Sequence, residues 1–138
     1  MRLDIYISTD VKSPRARSGT YHAFWIGYGS SGQKVGEDGT YETEYGNQYG
    51  LLVKALREAA DHINQNAKPD VRICCNNGLM IQAIKNLKTW EQRDFKKKNG
   101  QSLSHAEDWR FIAKKLHGLY FRVEGGTDGA KQVSNSRE

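Results

Sequence analysis

Residues 71–84 read VRICCNNGLMIQAI, and the apolar period changes in the middle of that stretch. Val71, Ile73, Cys74 and Cys75 form a short apolar run of the kind that fills a buried strand. The run stops at Asn76-Asn77-Gly78. From Gly78, Met80, Ala83, Ile84 and Leu87 are spaced as the buried stripe of a helix over 78–87. A buried strand passing straight into a helix is the repeating unit of an α/β layer structure. Asn at the junction suits a helix N-cap. Two carboxamides at a strand tip also suit the floor of a site.

Working outward, Leu3, Ile5 and Ile7 alternate with Asp4, Tyr6 and Ser8, giving a first strand that ends at Thr9-Asp10. VKSPRARSG is a loop, GTYHAFWIGYG an aromatic second strand, and residues 33–45 a polar third strand in a hairpin with the second. Between Asn47 and Asn64, Leu51, Leu52, Ala55, Leu56, Ala59, Ala60 and Ile63 recur at helical spacing. Beyond Leu87, TWEQRDFKKKNGQS predicts a basic projecting turn or short helix. His105–His117 predicts a helix with Trp109, Ile112 and Leu116 inward, and LYFRVEGG a fifth strand. The order β-β-β-α-β-α-α-β implies a five-stranded mixed sheet with helices on its faces, in one domain over 1–125. Residues 126–138 are polar, without apolar periodicity, and are expected to form a flexible tail.

The 138 residues carry a net charge of +5. From Lys85 to Lys115 there are nine Lys and Arg against four Asp and Glu, a local net of +5. The remainder therefore balances to zero, and the positive region favours a polyanion partner over a solvated helix face. No apolar run is long enough for a membrane span, and MRLDIYISTD enters a strand pattern without a signal peptide. Cys74 and Cys75 are adjacent and point to opposite sides of a strand, a poor geometry for a disulfide. Two reduced thiols suit a cytoplasmic protein. The four histidines are scattered and read as packing or surface residues.

Polar candidates converge where the first strand, first helix and fourth strand meet: Asp10, Gln48 and Asn76, with Asn135 as a fourth from the tail. Here the chain resembles ribonuclease H of the bacterial and retroviral type. IYISTD is similar to that family's first strand ending in Thr-Asp. NQYGLLVKAL resembles its Asn-Arg-x-Glu-Leu helix, which sets Gln48 on the catalytic Glu. ICCNNGLMIQAI resembles its Thr-Asp-Ser strand-to-helix segment, which sets Asn76 on the second Asp. The segment from Trp90 through KKKNGQSLSHAEDWRFI is similar to the basic handle and the helix after it, and VEGG to the turn before the last helix.

The resemblance implies an α/β ribonuclease H-like fold and hydrolysis of the RNA strand of an RNA/DNA hybrid by two Mg²⁺ or Mn²⁺ ions on four carboxylates. Carried over, Asp10 matches as a metal ligand. Gln48 and Asn76 are amides where acids are expected, Gly126 replaces a histidine, and Asn135 falls near the last acid, for which Asp128 or Glu138 are the alternatives. An amide oxygen can ligate Mg²⁺ but adds no charge. Removing one unit charge about 4 Å from an ion forfeits about 4 kcal/mol even at an effective dielectric near 20. Each 1.4 kcal/mol or so is a factor of ten in rate, so catalysis is expected to be very weak or absent. Such a pattern fits a natural pseudoenzyme or an engineered substrate trap. Gly126 and the Asp10-Val11-Lys12 segment, altered beyond what a trap requires, favour the natural origin.

The expected function is therefore hybrid or double-stranded RNA binding. Lys85, Lys88, Trp90, Arg93, Lys96, Lys97, Lys98, Asn47 and Asn77 are the expected contacts, with Phe95 among them to stack or pack on sugars. Two alternatives stand beside it: an active Mg²⁺- or Mn²⁺-dependent nuclease, and an interaction module that retains only the fold.

Overall fold

The computed structural model describes residues 1–125; residues 126–138, including the predicted tail and Asn135, lie outside the described region. Five strands run as β1 (Arg2–Thr9), β2 (Arg17–Tyr28), β3 (Lys34–Gly46), β4 (Asp70–Cys75) and β5 (Phe121–Gly125). Four helices are α1 (Gln48–Ala60), α2 (Gly78–Lys85), α3 (Leu87–Gln92) and α4 (Ala106–Leu116). The sheet order is β3-β2-β1-β4-β5. β1 pairs antiparallel with β2, and β2 with β3, while β4 is parallel to both β1 and β5. This is the mixed sheet that the alternating and continuous apolar runs predict.

The strand period of two sorts the sheet into two faces. Ile5 lies across from Trp25 on one side and Ile73 on the other, and all three are buried. That face meets α1, whose Leu51, Leu52, Ala55, Leu56 and Ala59 are each 3% exposed or less. Met80, Ile84, Leu87, Trp109 and Ile112 close the same core from α2, α3 and α4. The opposite face carries Asp4, Tyr6, Arg72 and Glu124, joined through Arg72, whose guanidinium bonds Asp4 Oδ2 at 2.8 Å, the Tyr6 hydroxyl at 3.0 Å and Glu124 at 3.0 Å.

Two expectations are corrected. The helix expected over 78–87 ends at Lys85, and Leu87 begins α3. Asn86 turns the chain, its N–H donating to the carbonyls of Gln82 and Ala83, so that Leu87 reaches the core and Trp90 meets Trp109 edge-on at 5.7 Å. The basic segment is also no free projection. After α3 it forms a small hairpin closed by the Lys96–Ser102 bridge, and Phe95 anchors it in the core at 5% exposure. Phe95 is therefore a packing residue, unable to stack on a ligand.

β3 forms an edge of the sheet, and Glu37, Asp38, Glu42 and Glu44 along it are the charges by which an open strand resists pairing with other chains. No described helix is long and apolar enough to cross a membrane.

Candidate nucleic-acid interface

Asp10 follows the last residue of β1, and its position is set by a compact set of bonds with β2. Its Oδ1 accepts the Thr20 N–H at 2.8 Å, while its own N–H donates to the Thr20 carbonyl at 3.2 Å. Thr9 Oγ1 donates to that carbonyl as well, at 2.8 Å, and accepts the Val11 N–H at 3.2 Å. Gly19 is required by this approach: a Cβ there would fall 2.8 Å from Asp10 Oδ1 and closer still to Val11.

Gln48 opens α1. Its N–H donates to the Ser13 carbonyl at 3.1 Å, which clamps the β1–β2 loop against the start of the helix. Asn47 caps α1 by accepting the Gly50 N–H on Oδ1 at 2.8 Å. Asn77 caps α2 in the same way, accepting the Met80 N–H at 2.9 Å. Both Asn oxygens are thus engaged inside the fold, and their amide N–H groups can be offered to a ligand. Asn76, one residue earlier and exposed, follows the end of β4, which runs parallel to β1. Asp10, Gln48 and Asn76 therefore come from the carboxyl ends of two neighbouring strands and the adjoining helix start.

The basic hairpin reaches the same end of the molecule. Leu103 donates to the Phe95 carbonyl at 3.0 Å, and His105, just beyond, packs on Tyr49 at 5.7 Å and against Gly50 in the first turn of α1. Tyr49 is further tied to the core by the Trp109 indole N–H at 3.1 Å. Lys96, Lys97 and Lys98 are exposed, and among the described residues only Lys96 has an acid within ion-pair distance, Asp94 at 3.9 Å. Arg93 is exposed at the end of α3, and Trp90 is half-buried against Trp109.

Lys85 and Lys88 lie elsewhere. They border a groove along β5, where the Lys88 ammonium sits 5.5 Å from the centre of the Phe121 ring. Phe121 pairs with Val71 at the amino end of β4, the end opposite Asn76. These two lysines are thus apart from the other candidates. Of the loop cations after Asp10, Arg17 reaches a strand-end candidate directly, and Arg15 follows the turn that Ser13 closes. Arg17 Nη2 donates to the Asp10 carbonyl at 3.1 Å, and Arg15 N–H bonds Ser13 Oγ at 3.0 Å.

The described donors do not fit a pair of divalent ions. Asp10 is the single carboxylate among the three strand-end candidates, and one of its oxygens already takes a backbone N–H. Gln48 and Asn76 are neutral, and among the described residues no group of three or more His, Cys, Asp or Glu is placed to hold a metal. Nor do the thiols help. Burial pushes Cys75 up to about 11 and raises Cys74 from its ordinary value, so both stay protonated near neutrality.

The fold is ribonuclease H-like. No protein-family model matches the chain, and no curated protein matches it in sequence. Among solved structures, LC9-RNase H1, a type 1 RNase H with the type 2 active-site motif, matches with TM-score 0.67 and 14% identity, over 98% of this chain and 69% of its own. LC11-RNase H1 in complex with an RNA/DNA hybrid matches with TM-score 0.60 and 14% identity, over 94% and 90%. A foamy viral protease-reverse transcriptase, also in complex with an RNA/DNA hybrid, matches with TM-score 0.66 and 16% identity over 97% of this chain, which spans 18% of that longer one.

Proposed function

We propose that this protein binds RNA/DNA hybrid or double-stranded RNA across the end of the sheet that carries Asp10, Gln48 and Asn76, with hydrolysis lost or very weak. The observation that carries the reading is the basic hairpin. Its lysines are exposed and hardly neutralised, and Phe95 and His105 hold it at the same end as Gln48. Fixed cations beside a polar strand end attract a phosphate backbone and release its counterions, which makes binding strong at low salt. The hybrids bound by two structural neighbours support a hybrid ligand for a chain of this fold. Weak or absent hydrolysis is supported by the donor set: among the described residues the strand-end candidates offer one carboxylate, Asp10, against two divalent ions. The reduced, buried Cys74 and Cys75 support a cytoplasmic setting.

Neutralising Lys96, Lys97 and Lys98 together to Gln tests the reading by fluorescence anisotropy with a labelled hybrid. The expected outcome is weaker binding at low salt and a salt slope reduced by about 1 per lysine that contacts phosphate. Unchanged affinity and slope in a folded triple variant would refute it.

A further inference from the structure

We infer that the β1–β2 loop and the amides beside it hold a phosphodiester of the nucleic acid directly, by cations and N–H donors, with no metal bridge. This rests on the nucleic-acid-binding reading and adds where and how one phosphate is seated.

Four observations point the same way. Lys12, Arg15 and Arg17 are exposed, and among the described residues none of the three has a carboxylate within ion-pair distance. The loop that carries them is held in place. Val11 is fully buried, Ser13 accepts the Gln48 N–H at 3.1 Å, and Arg17 spans to the Asp10 carbonyl at 3.1 Å. A held loop loses little further freedom when a ligand arrives. Gln48 and Asn76 each carry an NH₂ group that donates to a phosphate oxygen, which a carboxylate cannot do without a proton. Asp10, the remaining acid, is partly occupied by the Thr20 N–H.

A site built on carboxylates attracts cations and reaches phosphate through them. Here the carboxylates give way to amides while cations are supplied by the chain itself. The site has changed the sign of what it attracts. Arginine presents a fork that matches phosphate geometry, and a lysine adds a point charge.

Anisotropy with a short labelled hybrid, in excess EDTA and then in millimolar Mg²⁺, tests this in the intact protein. The affinity in EDTA is expected to equal or exceed that in Mg²⁺, because no ion bridges protein and phosphate and Mg²⁺ competes with the protein's cations for the backbone. Arg17→Gln and Lys12→Gln are each expected to weaken binding, about tenfold together, and to lower the salt slope by about 1 per cation removed. Arg17 also steadies the Asp10 backbone, so Lys12→Gln, which removes no hydrogen bond within the described residues, keeps the test free of folding effects. Gln48→Glu is expected to weaken binding in EDTA. Binding that collapses in EDTA and returns with Mg²⁺ would overturn the inference. So would folded Arg17→Gln and Lys12→Gln proteins that bind like the wild type; if the triple lysine variant loses binding at the same time, the nucleic-acid reading stands and this inference alone falls. A wild-type protein that binds no hybrid at low salt overturns both.

Discussion

Asp4 and Asp10 are both delivered by β1, and their surroundings give them opposite work. Asp4 is 1% exposed, bonded through Oδ2 to Arg72, while Arg2 Nε approaches Oδ1 at 3.2 Å without hydrogen-bond alignment. A carboxylate this deep survives because a guanidinium stays with it. Burial alone would lower the pKa of Arg72, but its bond to Asp4 outweighs that and drives it further up, so the guanidinium stays charged. Removing one partner of such a pair leaves an uncompensated charge. Arg72→Met is therefore expected to cost about 3 kcal/mol in urea unfolding, against less than about 1 kcal/mol for the half-exposed Arg2→Met. Equal small effects would show that Arg2 alone can hold the Asp4 charge. The alternation of β1 predicted Asp4 on a polar face, but nothing in the chain order revealed Arg72 as its partner. Asp10 was legible because it ends an alternating strand. The Arg17 bond to its backbone was not, since loop residues carry no periodicity.

Among the elements, regular hydrogen-bonded pieces followed their apolar period, and the basic segment did not. β2 and β3 form the expected hairpin, with Phe24 opposite Gly39 and Thr20 opposite Thr43. α4 carries Trp109, Ile112 and Leu116 inward, as helical spacing required. The hairpin after α3 escaped because it depends on two consecutive residues, Asp94 and Phe95, in the left-handed region at φ 54° and 57°. Such backbone is costly for a bulky side chain and persists only where packing and bonds over-determine it. Here Phe95 is buried, and Arg110 Nη2 donates to the Asp94 carbonyl at 3.0 Å. Phe95→Ala removes the anchor, with an expected loss of about 3 kcal/mol in stability. Hybrid affinity should fall as well, since Lys96–Lys98 lose their fixed position. Anisotropy under conditions where the variant remains folded separates the two effects. Stability lost with binding unchanged would show that the hairpin's placement does not matter to the ligand.

At the scale of the molecule, the sheet order and the distribution of charge give the protein its direction. Parallel β1 and β4 bring Asp10 and Asn76 to one end, α1 begins there, and the basic hairpin is held beside it. That convergence was readable from the element order together with the resemblance, because a strand tip and the next helix start must share an end. The division among the cations was not readable. Lys85 and Lys88 belong to the same run of positive charge in the chain, yet the end of α2 and the start of α3 carry them to the opposite end of β4 and β5. As proposed, this ribonuclease H-like sheet holds a nucleic acid without cutting it. The most direct measurement incubates an end-labelled RNA/DNA hybrid with saturating protein in Mg²⁺ and in Mn²⁺, and follows bound and cleaved fractions together. A retained, intact hybrid is expected in both ions. Cleavage of the RNA strand that disappears in Asp10→Asn would contradict it.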